Sequence, residues 1–307
     1  MRLERTSAEE IGLLVARFTG EAAPISPEIR LDQIGFDSLT FVEFAAAAQE
    51  ELGVDLPDAA LPVTVGDLVG LVDLVDPSVP SRRGRRDPAI DIPPGMGRYQ
   101  SLVRDVAEPV VRWLFRLEVD GREHLPARGP VIVCLNHDSA IDVVVTAVAA
   151  HRPLVVMGKK EIFISRLVSH LFHEMGAFPV ERDRWDRRAV AISLAALDKG
   201  HALAMWPEGT RAAHELLPFL PGAAWLALAR GVPLVPAAII GSGHAWPRDR
   251  MFPKRSPVRV AFGEAISVER VDAPGARLAI APEITAVLRD RVEQLLGESG
   301  PTAPVPR

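Results

Sequence analysis

Cysteine is nearly absent from this sequence: Cys134 is the single one among 307 residues. A lone cysteine excludes an intramolecular disulfide, and its position in the apolar run 131–135 predicts a small buried core residue. Long apolar segments are missing too, because no uncharged stretch approaches the roughly 18–20 residues that cross a bilayer. Since the start shows no secretory signal pattern, we predict a cytoplasmic protein, for which peripheral contact with the inner face of the membrane stays open.

The signatures of several other chemistries are incomplete. Residues 241–243 (Gly-Ser-Gly) lack the outer glycine spacing of a hydrolase nucleophile elbow. Residues 95–97 (Gly-Met-Gly) lack the third glycine and the preceding strand of a dinucleotide-binding fold. His170 and His173 have no accompanying ligand pattern, which is typical of a helix surface rather than a metal site. We therefore expect no metal, and we expect no nucleic-acid partner either.

Charge is distributed unevenly along the chain. Hydrophobic residues make up 48% and charged residues 24% of the sequence, as in a globular protein with a sizeable core. The net charge of −5 divides into −11 over residues 1–77 and +6 over the remainder. An acidic first part and a basic remainder fit two parts that attract each other. Chance asymmetry, helped by the four arginines of residues 82–86, explains the same numbers.

Residues 1–77 are predicted to form a small all-α bundle of three or four helices. A capping-box pattern at 7–10 precedes apolar residues at helical spacing, and Gly20 is a plausible stop. A second helix is predicted over 39–52. Thr64 is a plausible cap for a last short helix before residue 77.

Residues 78–97 are rich in proline, glycine and arginine and lack periodicity, which is typical of a linker. An amphipathic helix is predicted next, over 98–117, and then strand and helix patterns alternate. This alternation predicts an α/β domain over 98–296 with a mixed, largely parallel sheet flanked by helices, before a disordered tail at 297–307. The predicted strands are 130–135, 153–157, 202–206, 232–240 and 258–262; the predicted helices are 139–150, 161–175, 186–199, 221–230 and 276–296.

Ser38 opens the second predicted helix, after Gly-Phe-Asp at 35–37. A covalent phosphodiester arm needs an exposed hydroxyl, and the free N–H groups and dipole of a helix N-terminus favour its phosphate. Aspartate and serine are also the commonest N-caps, so the pair alone has an ordinary structural explanation. The whole pattern over residues 5–77, however, resembles the acyl carrier protein family, although Thr40 stands where many carriers have an acidic residue. The resemblance implies 4′-phosphopantetheine on Ser38, a phosphopantetheinyl transferase that attaches it and an enzyme that loads it with an acyl group.

A second candidate site follows the first predicted strand of the α/β part, at Asn136-His137-Asp138-Ser139 and Asp142. Acyl transfer from a thioester to an alcohol mainly requires a base, because the alcohol must lose its proton whereas a thiol leaves readily. A carboxylate on the far imidazole nitrogen fixes the tautomer. An offset of five residues places two side chains about 140° apart on a continuous helix. His137 and Asp142 therefore meet only if His137 lies in an irregular junction, with Asn136 or Ser139 as N-cap; the alternative is a polar turn decorated by aspartates.

Residues 206–211 (Trp-Pro-Glu-Gly-Thr-Arg) follow another predicted strand. Backbone N–H groups, a close approach at Gly209 and the Arg211 guanidinium suit a phosphate there, although an ordinary turn with a solvated arginine fits as well. This block is one of a set of four motifs that occur in order along the sequence. The other three are the histidine block, 176–182 (Gly-Ala-Phe-Pro-Val-Glu-Arg) and 232–236 (Val-Pro-Leu-Val-Pro). Over about residues 98–265 the set resembles the lysophosphatidic acid (1-acylglycerol-3-phosphate) acyltransferase family of glycerolipid enzymes.

That resemblance implies His137 as general base and Asp142 as its orienting partner. It also implies that the acceptor's phosphate, or its equivalent, is bound by Glu208, Gly209, Thr210, Arg211 and Arg182. Lys160 matches a basic position ahead of the second block. Two residues depart from the family pattern: Trp206 stands where phenylalanine is usual, and Leu220 replaces a usual lysine, which removes a cation from the expected anion site.

Three functions fit these features. The first is acylation of a hydroxyl of a lysophospholipid or glycerol-phosphate-like acceptor, a step of phospholipid biosynthesis, from a thioester on Ser38, a free carrier or coenzyme A. The second is the same chemistry on a hydroxyl or amine of a specialised metabolite, which a dedicated carrier and Leu220 favour. The third is a non-catalytic carrier or docking protein. Apolar residues at 112–116 and 162–168 suit contact with a membrane surface, although core packing explains them equally well.

Overall fold

The fold is described from a computed structural model covering residues 8–23, 25–36, 38–52, 56, 62–73, 96–163, 165–180, 187–212, 215–273 and 275–298. The chain divides into two compact units. The first comprises residues 1–90, 180–190 and 272–279, and the second comprises 91–179, 191–271 and 280–307. Most of the predicted linker and the tail beyond 298 lie outside the described residues.

Three helices occur among the described residues of the N-terminal 77: Ala8–Thr19 (α1), Ser38–Ala47 (α2) and Val65–Asp73 (α3). A five-residue π-helical turn, Ala48–Leu52, extends α2. The predicted cap of α3 is confirmed, because the Asp67 N–H donates to Thr64 Oγ1 (3.1 Å) and the Thr64 N–H donates to Asp67 Oδ2 (2.9 Å). Ser7, the predicted cap of α1, lies outside the described residues.

Aromatic packing holds the start of α2 in place. The Phe36 ring lies edge-on to Phe44 at a centroid distance of 5.7 Å, and Phe41 stacks on Phe44 at 6.3 Å. All three rings are buried among apolar residues of α1 and α3. Such pairs add about 0.5–1.5 kcal/mol each beyond the area that they bury. Because Phe36 precedes α2 and the other two rings lie on it, this cluster holds Phe36 against the helix.

The second unit contains a sheet of seven strands among the residues described, and its mixed, largely parallel character is confirmed. The strands are Glu118–Asp120 (β1), Val131–Leu135 (β2), Leu154–Lys159 (β3), Ala177–Val180 (β4), Ala202–Met205 (β5), Leu234–Ile240 (β6) and Arg259–Phe262 (β7). Their order is β1-β7-β6-β2-β5-β3-β4. Strand β2 pairs in parallel with β5 and β6, as β3 does with β5 and β1 with β7, whereas β6 and β7 are antiparallel.

Seven α-helices are described after residue 95. They are Met96–Phe115 (α4), Asp142–Ala150 (α5), Arg166–Glu174 (α6), Arg187–Asp198 (α7), Gly222–Arg230 (α8), Ser242–Ala245 (α9) and Ala276–Glu298 (α10). Six match predicted helices, with bounds that differ by up to five residues, and the short α9 was not predicted. Helix α5 begins three residues later than predicted, because residues 136–141 form an irregular turn. Within the described ranges, none of these helices combines the length and the apolar character that a membrane span requires.

The core of the second unit surrounds β2, whose five residues are all buried. Val131, Val133 and Leu135 pack with apolar side chains of β5, β6 and α5. Cys134 is fully buried, as predicted, and burial raises the pKa of its thiol, so it remains an unreactive packing residue. Since β2 and β5 are parallel neighbours, with Cys134 opposite Met205, the loops that follow them emerge at the same edge of the sheet. This edge carries the histidine and Pro-Glu-Gly blocks.

Candidate active site

His137 and Asp142 form a hydrogen-bonded pair at the carboxyl end of β2. His137 Nδ1 lies 2.9 Å from Asp142 Oδ2, with the histidine side chain 15% exposed and the aspartate fully buried. An ionised carboxylate only accepts hydrogen bonds, so Nδ1 carries the proton. In the neutral ring this leaves the lone pair on Nε2, the nitrogen from which a base would act.

The irregular turn 136–141 makes this contact possible across five residues. Asp142 is the first residue of α5, and its Oδ2 also accepts the N–H groups of Asp138 (2.9 Å) and Ser139 (2.8 Å). The carboxylate therefore folds the turn back over the helix start and holds the imidazole through the same oxygen. The predicted N-cap is wrong: Ile141 occupies that position, and neither Asn136 nor Ser139 caps α5.

Asn136 and Ser139 have other roles that the sequence did not indicate. The buried Asn136 amide donates to the carbonyl of Ile239 (3.0 Å) and accepts its N–H (2.7 Å), so it continues the pairing of β2 and β6 one residue beyond the strand. Ser139 Oγ donates to the Trp246 carbonyl (2.9 Å) after α9. Together these bonds anchor both sides of His137 to neighbouring elements.

Glu208 reaches His137 from the second loop. Its Oε1 accepts the His137 N–H at 2.7 Å, and its Oε2 accepts the Leu217 N–H at 3.0 Å. The side chain is buried, and burial raises the pKa of its carboxyl, opposed by these two hydrogen bonds. The Ala212 N–H donates to the His137 carbonyl at 2.6 Å. The 206–212 loop thus binds the main chain of His137 from both ends.

The remaining residues of this loop present a mixed surface. The Trp206 ring lies 5.4 Å from the His137 ring, centroid to centroid. Gly209 adopts a φ of 68°, which favours glycine, and a methyl group added there would come within 3.1 Å of the Leu220 side chain. Thr210 and Arg211 are exposed, and the Arg211 carbonyl accepts a hydrogen bond from Arg248. Leu220 itself is 60% exposed.

Two predicted binding residues remain, Lys160 and Arg182, and only Lys160 lies within the described residues. Lys160 is exposed and begins a short 3-10 helix after β3. Arg182 lies outside the described residues. Elsewhere, Ser38 is the first residue of α2.

Two known families account for the two predicted regions. The Acyltransferase family matches residues 116–240, and the family described as Phosphopantetheine attachment site matches residues 9–75. The two matches follow one another in the same order as the two predicted regions. The first match includes the His137–Asp142 pair and the 206–212 loop, and the second includes Ser38.

Curated proteins similar to this chain are 1-acyl-sn-glycerol-3-phosphate acyltransferases. The one from Bacillus subtilis is 26% identical over 49% of this chain and 73% of the relative. Those from Limnanthes alba (29% identical) and Salmonella typhimurium (33%) align over 56% and 43% of this chain, and the chain spans 63% and 56% of their own lengths. Among solved structures, the 1-acyl-sn-glycerophosphate (LPA) acyltransferase PlsC from Thermotoga maritima superposes with a TM-score of 0.56 at 19% identity, over 68% of this chain and 81% of that one. This likeness shows a shared fold.

Replacing Glu208 with glutamine should distinguish two possible roles of its carboxylate in acyl transfer: positioning His137 or binding the acceptor. Glutamine keeps one acceptor oxygen but turns an NH2 group towards a backbone N–H, and an unsatisfied buried donor costs about 1–3 kcal/mol. If the carboxylate acts through His137, kcat should fall roughly 10- to 100-fold while KM for the acceptor changes little. Steady-state kinetics check this, with the exposed Glu215→Gln as control. A rise in KM at constant kcat would instead support acceptor binding by Glu208.

Proposed function

We propose that this protein transfers an acyl group from a phosphopantetheine thioester on Ser38 to a hydroxyl of a lysophospholipid or glycerol-phosphate-like acceptor. The observation that carries the proposal is the 2.9 Å contact between His137 Nδ1 and Asp142 Oδ2, because it leaves Nε2 available as a base. The phosphopantetheine attachment family match and the acyltransferase family match support the donor and the reaction class.

A single imidazole, that of His137, moves the one proton that the reaction transfers from the acceptor hydroxyl to the leaving thiolate. As the acceptor oxygen attacks the thioester carbonyl, Nε2 of His137 takes the hydroxyl proton, and the buried Asp142 carboxylate stabilises the imidazolium. Collapse of the tetrahedral intermediate breaks the C–S bond, and the imidazolium returns the proton to the departing thiolate. The products are the ester and the free phosphopantetheine thiol, so atoms and charge balance.

The rigid main chain around His137 supports this assignment. The N–H of His137 is held by Glu208, its carbonyl by the Ala212 N–H, and the preceding Asn136 by β6. A base must lie within hydrogen-bond reach of the proton that it removes, and a displacement of 1 Å costs about 100-fold in rate. The surrounding bonds therefore favour a catalytic histidine over a histidine in a plain polar turn.

The acceptor class is tested by a panel of hydroxyl compounds with and without a phosphate. Protein loaded on Ser38 would be mixed with lysophosphatidic acid, glycerol 3-phosphate, a monoacylglycerol and a neutral alcohol, and acyl products would be followed by mass spectrometry. We expect the phosphate-bearing acceptors to be preferred, because Arg211 is exposed in the loop beside the dyad. Transfer to neutral acceptors alone would contradict this choice.

A specialised hydroxyl or amine acceptor is the second candidate, and Leu220 is the observation that favours it. Its exposed side chain lies against Gly209. The lysophosphatidic acid acyltransferase family, which the sequence resembles, usually has a lysine at this position. Replacing Leu220 with lysine adds a charge worth about 1 kcal/mol at 4 Å in water. If a phosphate binds there, KM for the phosphate-bearing acceptor should fall roughly fivefold. The exposed Val287→Lys on α10 is the control, and an unchanged KM would favour the second candidate.

A further inference from the structure

One carboxylate of the acidic first part is completely buried. Glu43 lies on α2, five residues after Ser38, and its side chain has no exposed surface. By contrast, the Glu51 side chain at the end of the π-helical turn is 47% exposed and pairs with Arg17. A buried carboxylate is tolerated where a cation and hydrogen bonds compensate for its lost hydration. A cation is therefore expected beside Glu43, and its position in the chain shows which segment packs against α2.

Arg277 is a partner of Glu43, 234 residues further along the chain. Its Nε lies 2.8 Å from Glu43 Oε1, and its Nη2 donates a hydrogen bond of 3.0 Å to Oε2. One hydrogen bond and one short ion-pair contact thus join the guanidinium to the carboxylate, and a charge-assisted hydrogen bond is stronger than a neutral one. Because the Arg277 side chain is only 15% exposed, salt and water screen the interaction little.

Arg277 belongs to a short segment that forms part of the first compact unit. We call residues 272–273 and 275–279 of this segment the carrier clasp. A methyl group built on Gly275 would come within 3.6 Å of the Phe18 ring, so the carrier clasp also lies against α1. Neither family match, at 9–75 or 116–240, includes it.

We propose that the carrier clasp holds α2 so that the acyl group on Ser38 is transferred within one chain. The inference rests on the proposed function, since Ser38 must carry the thioester. Glu43 is fixed by Arg277, and one helix joins Glu43 to Ser38, so the ion pair restrains the residue that bears the arm. Residues 276–279 of the carrier clasp form the first turn of α10, and the rest of that helix belongs to the second unit. The unequal charge of the two parts of the sequence fits this pairing of an acidic and a basic residue.

Two complementary inactive chains distinguish transfer within a chain from transfer between chains. One carries His137→Ala with a loaded carrier, and the other carries Ser38→Ala with the histidine site intact. A tethered module acts at an effective concentration of the order of 1 mM, so at about 1 μM the mixture should transfer at least 100-fold more slowly than the intact chain. Introducing Arg277→Ala should slow single-turnover transfer in the intact chain about tenfold. The same change in the His137→Ala partner should raise transfer in the mixture severalfold.

Matched variants separate the ion pair from general effects of charge. Arg291→Ala removes an exposed arginine from the same helix, and Glu51→Gln removes an exposed carboxylate from the first unit; both should leave the two rates unchanged. Glu43→Gln should reproduce Arg277→Ala, and the double variant should be no slower than either single one. If Arg277→Ala leaves both rates within twofold of the parent values, the carrier clasp has no such role.

Hydrogen exchange keeps this inference distinct from the proposed function. If the loaded wild-type chain transfers nothing to any acceptor, the proposed function fails, but the carrier clasp is still judged by amide exchange along α2. Arg277→Ala should accelerate exchange over residues 40–47 at least tenfold relative to Arg291→Ala, because local opening becomes easier. Equal exchange in the two variants would overturn the inference irrespective of activity.

Discussion

Replacing His137 with alanine should slow acyl transfer from the loaded chain by roughly 100- to 10,000-fold, the range that a positioned general base contributes. The physical reason is that an alcohol attacks a thioester slowly unless its proton is removed as the new bond forms. Loading of Ser38 should be unaffected, because Ser38 and His137 belong to different units. Single-turnover mass spectrometry of the loaded protein measures both quantities in one sample.

The exposed His170→Ala on α6 is the matched control for this variant. It removes an imidazole from the same unit but should leave the transfer rate within twofold of the parent. Circular dichroism and the unfolding midpoint should show that His137→Ala remains folded, since Asp142 still accepts the N–H groups of Asp138 and Ser139. If transfer continues at the parental rate, the histidine is not the base. If neither the parent nor the variant transfers an acyl group, a non-catalytic carrier or docking protein becomes the better interpretation.

The central strands could be predicted because they are short, fully apolar runs. Strand β2 is buried along its whole length, and its pattern admits little besides a strand in the middle of a sheet. The edge strands β1 and β4 were missed. Strand β1 has three residues, two of them acidic and exposed, and β4 contains Pro179, which removes a hydrogen-bond donor. Their pairing is set by position in the sheet rather than by local preference.

The candidate site was partly visible in the sequence for a related reason. The offset between His137 and Asp142 is local, so the need for an irregular junction followed from helix geometry alone. The contact of Glu208 with the His137 N–H joins residues 71 positions apart and depends on β2 and β5 being neighbours. The pairing of Asn136 with Ile239 spans 103 positions. No local pattern encodes such contacts. From the sequence alone, Asn136 is therefore interpreted as a helix cap and Glu208 as a phosphate ligand, until the strand order is known.

Ser38→Ala should abolish covalent modification of the chain and, with it, every turnover that starts from the carrier. The serine is the first residue of α2, where the helix dipole favours the phosphate of the attached arm. Alanine has no hydroxyl to form the phosphodiester, so the expected effect is complete rather than graded. Intact mass after co-expression with a phosphopantetheinyl transferase should show the added group on the parent chain and none on the variant.

The exposed Ser26→Ala, also in the first unit, controls for the loss of a hydroxyl and should be modified normally. A mass increase in Ser38→Ala would place the arm on another residue and remove the basis for transfer from Ser38. The Ser38→Ala variant also distinguishes the two possible acyl donors, the thioester on Ser38 and acyl-coenzyme A. If it still acylates the acceptor from an added acyl-coenzyme A, and the rate falls again with His137→Ala, the histidine site works independently of the covalent arm. In that outcome the added coenzyme A thioester supplies the acyl group, and His137 acts on it without the arm on Ser38.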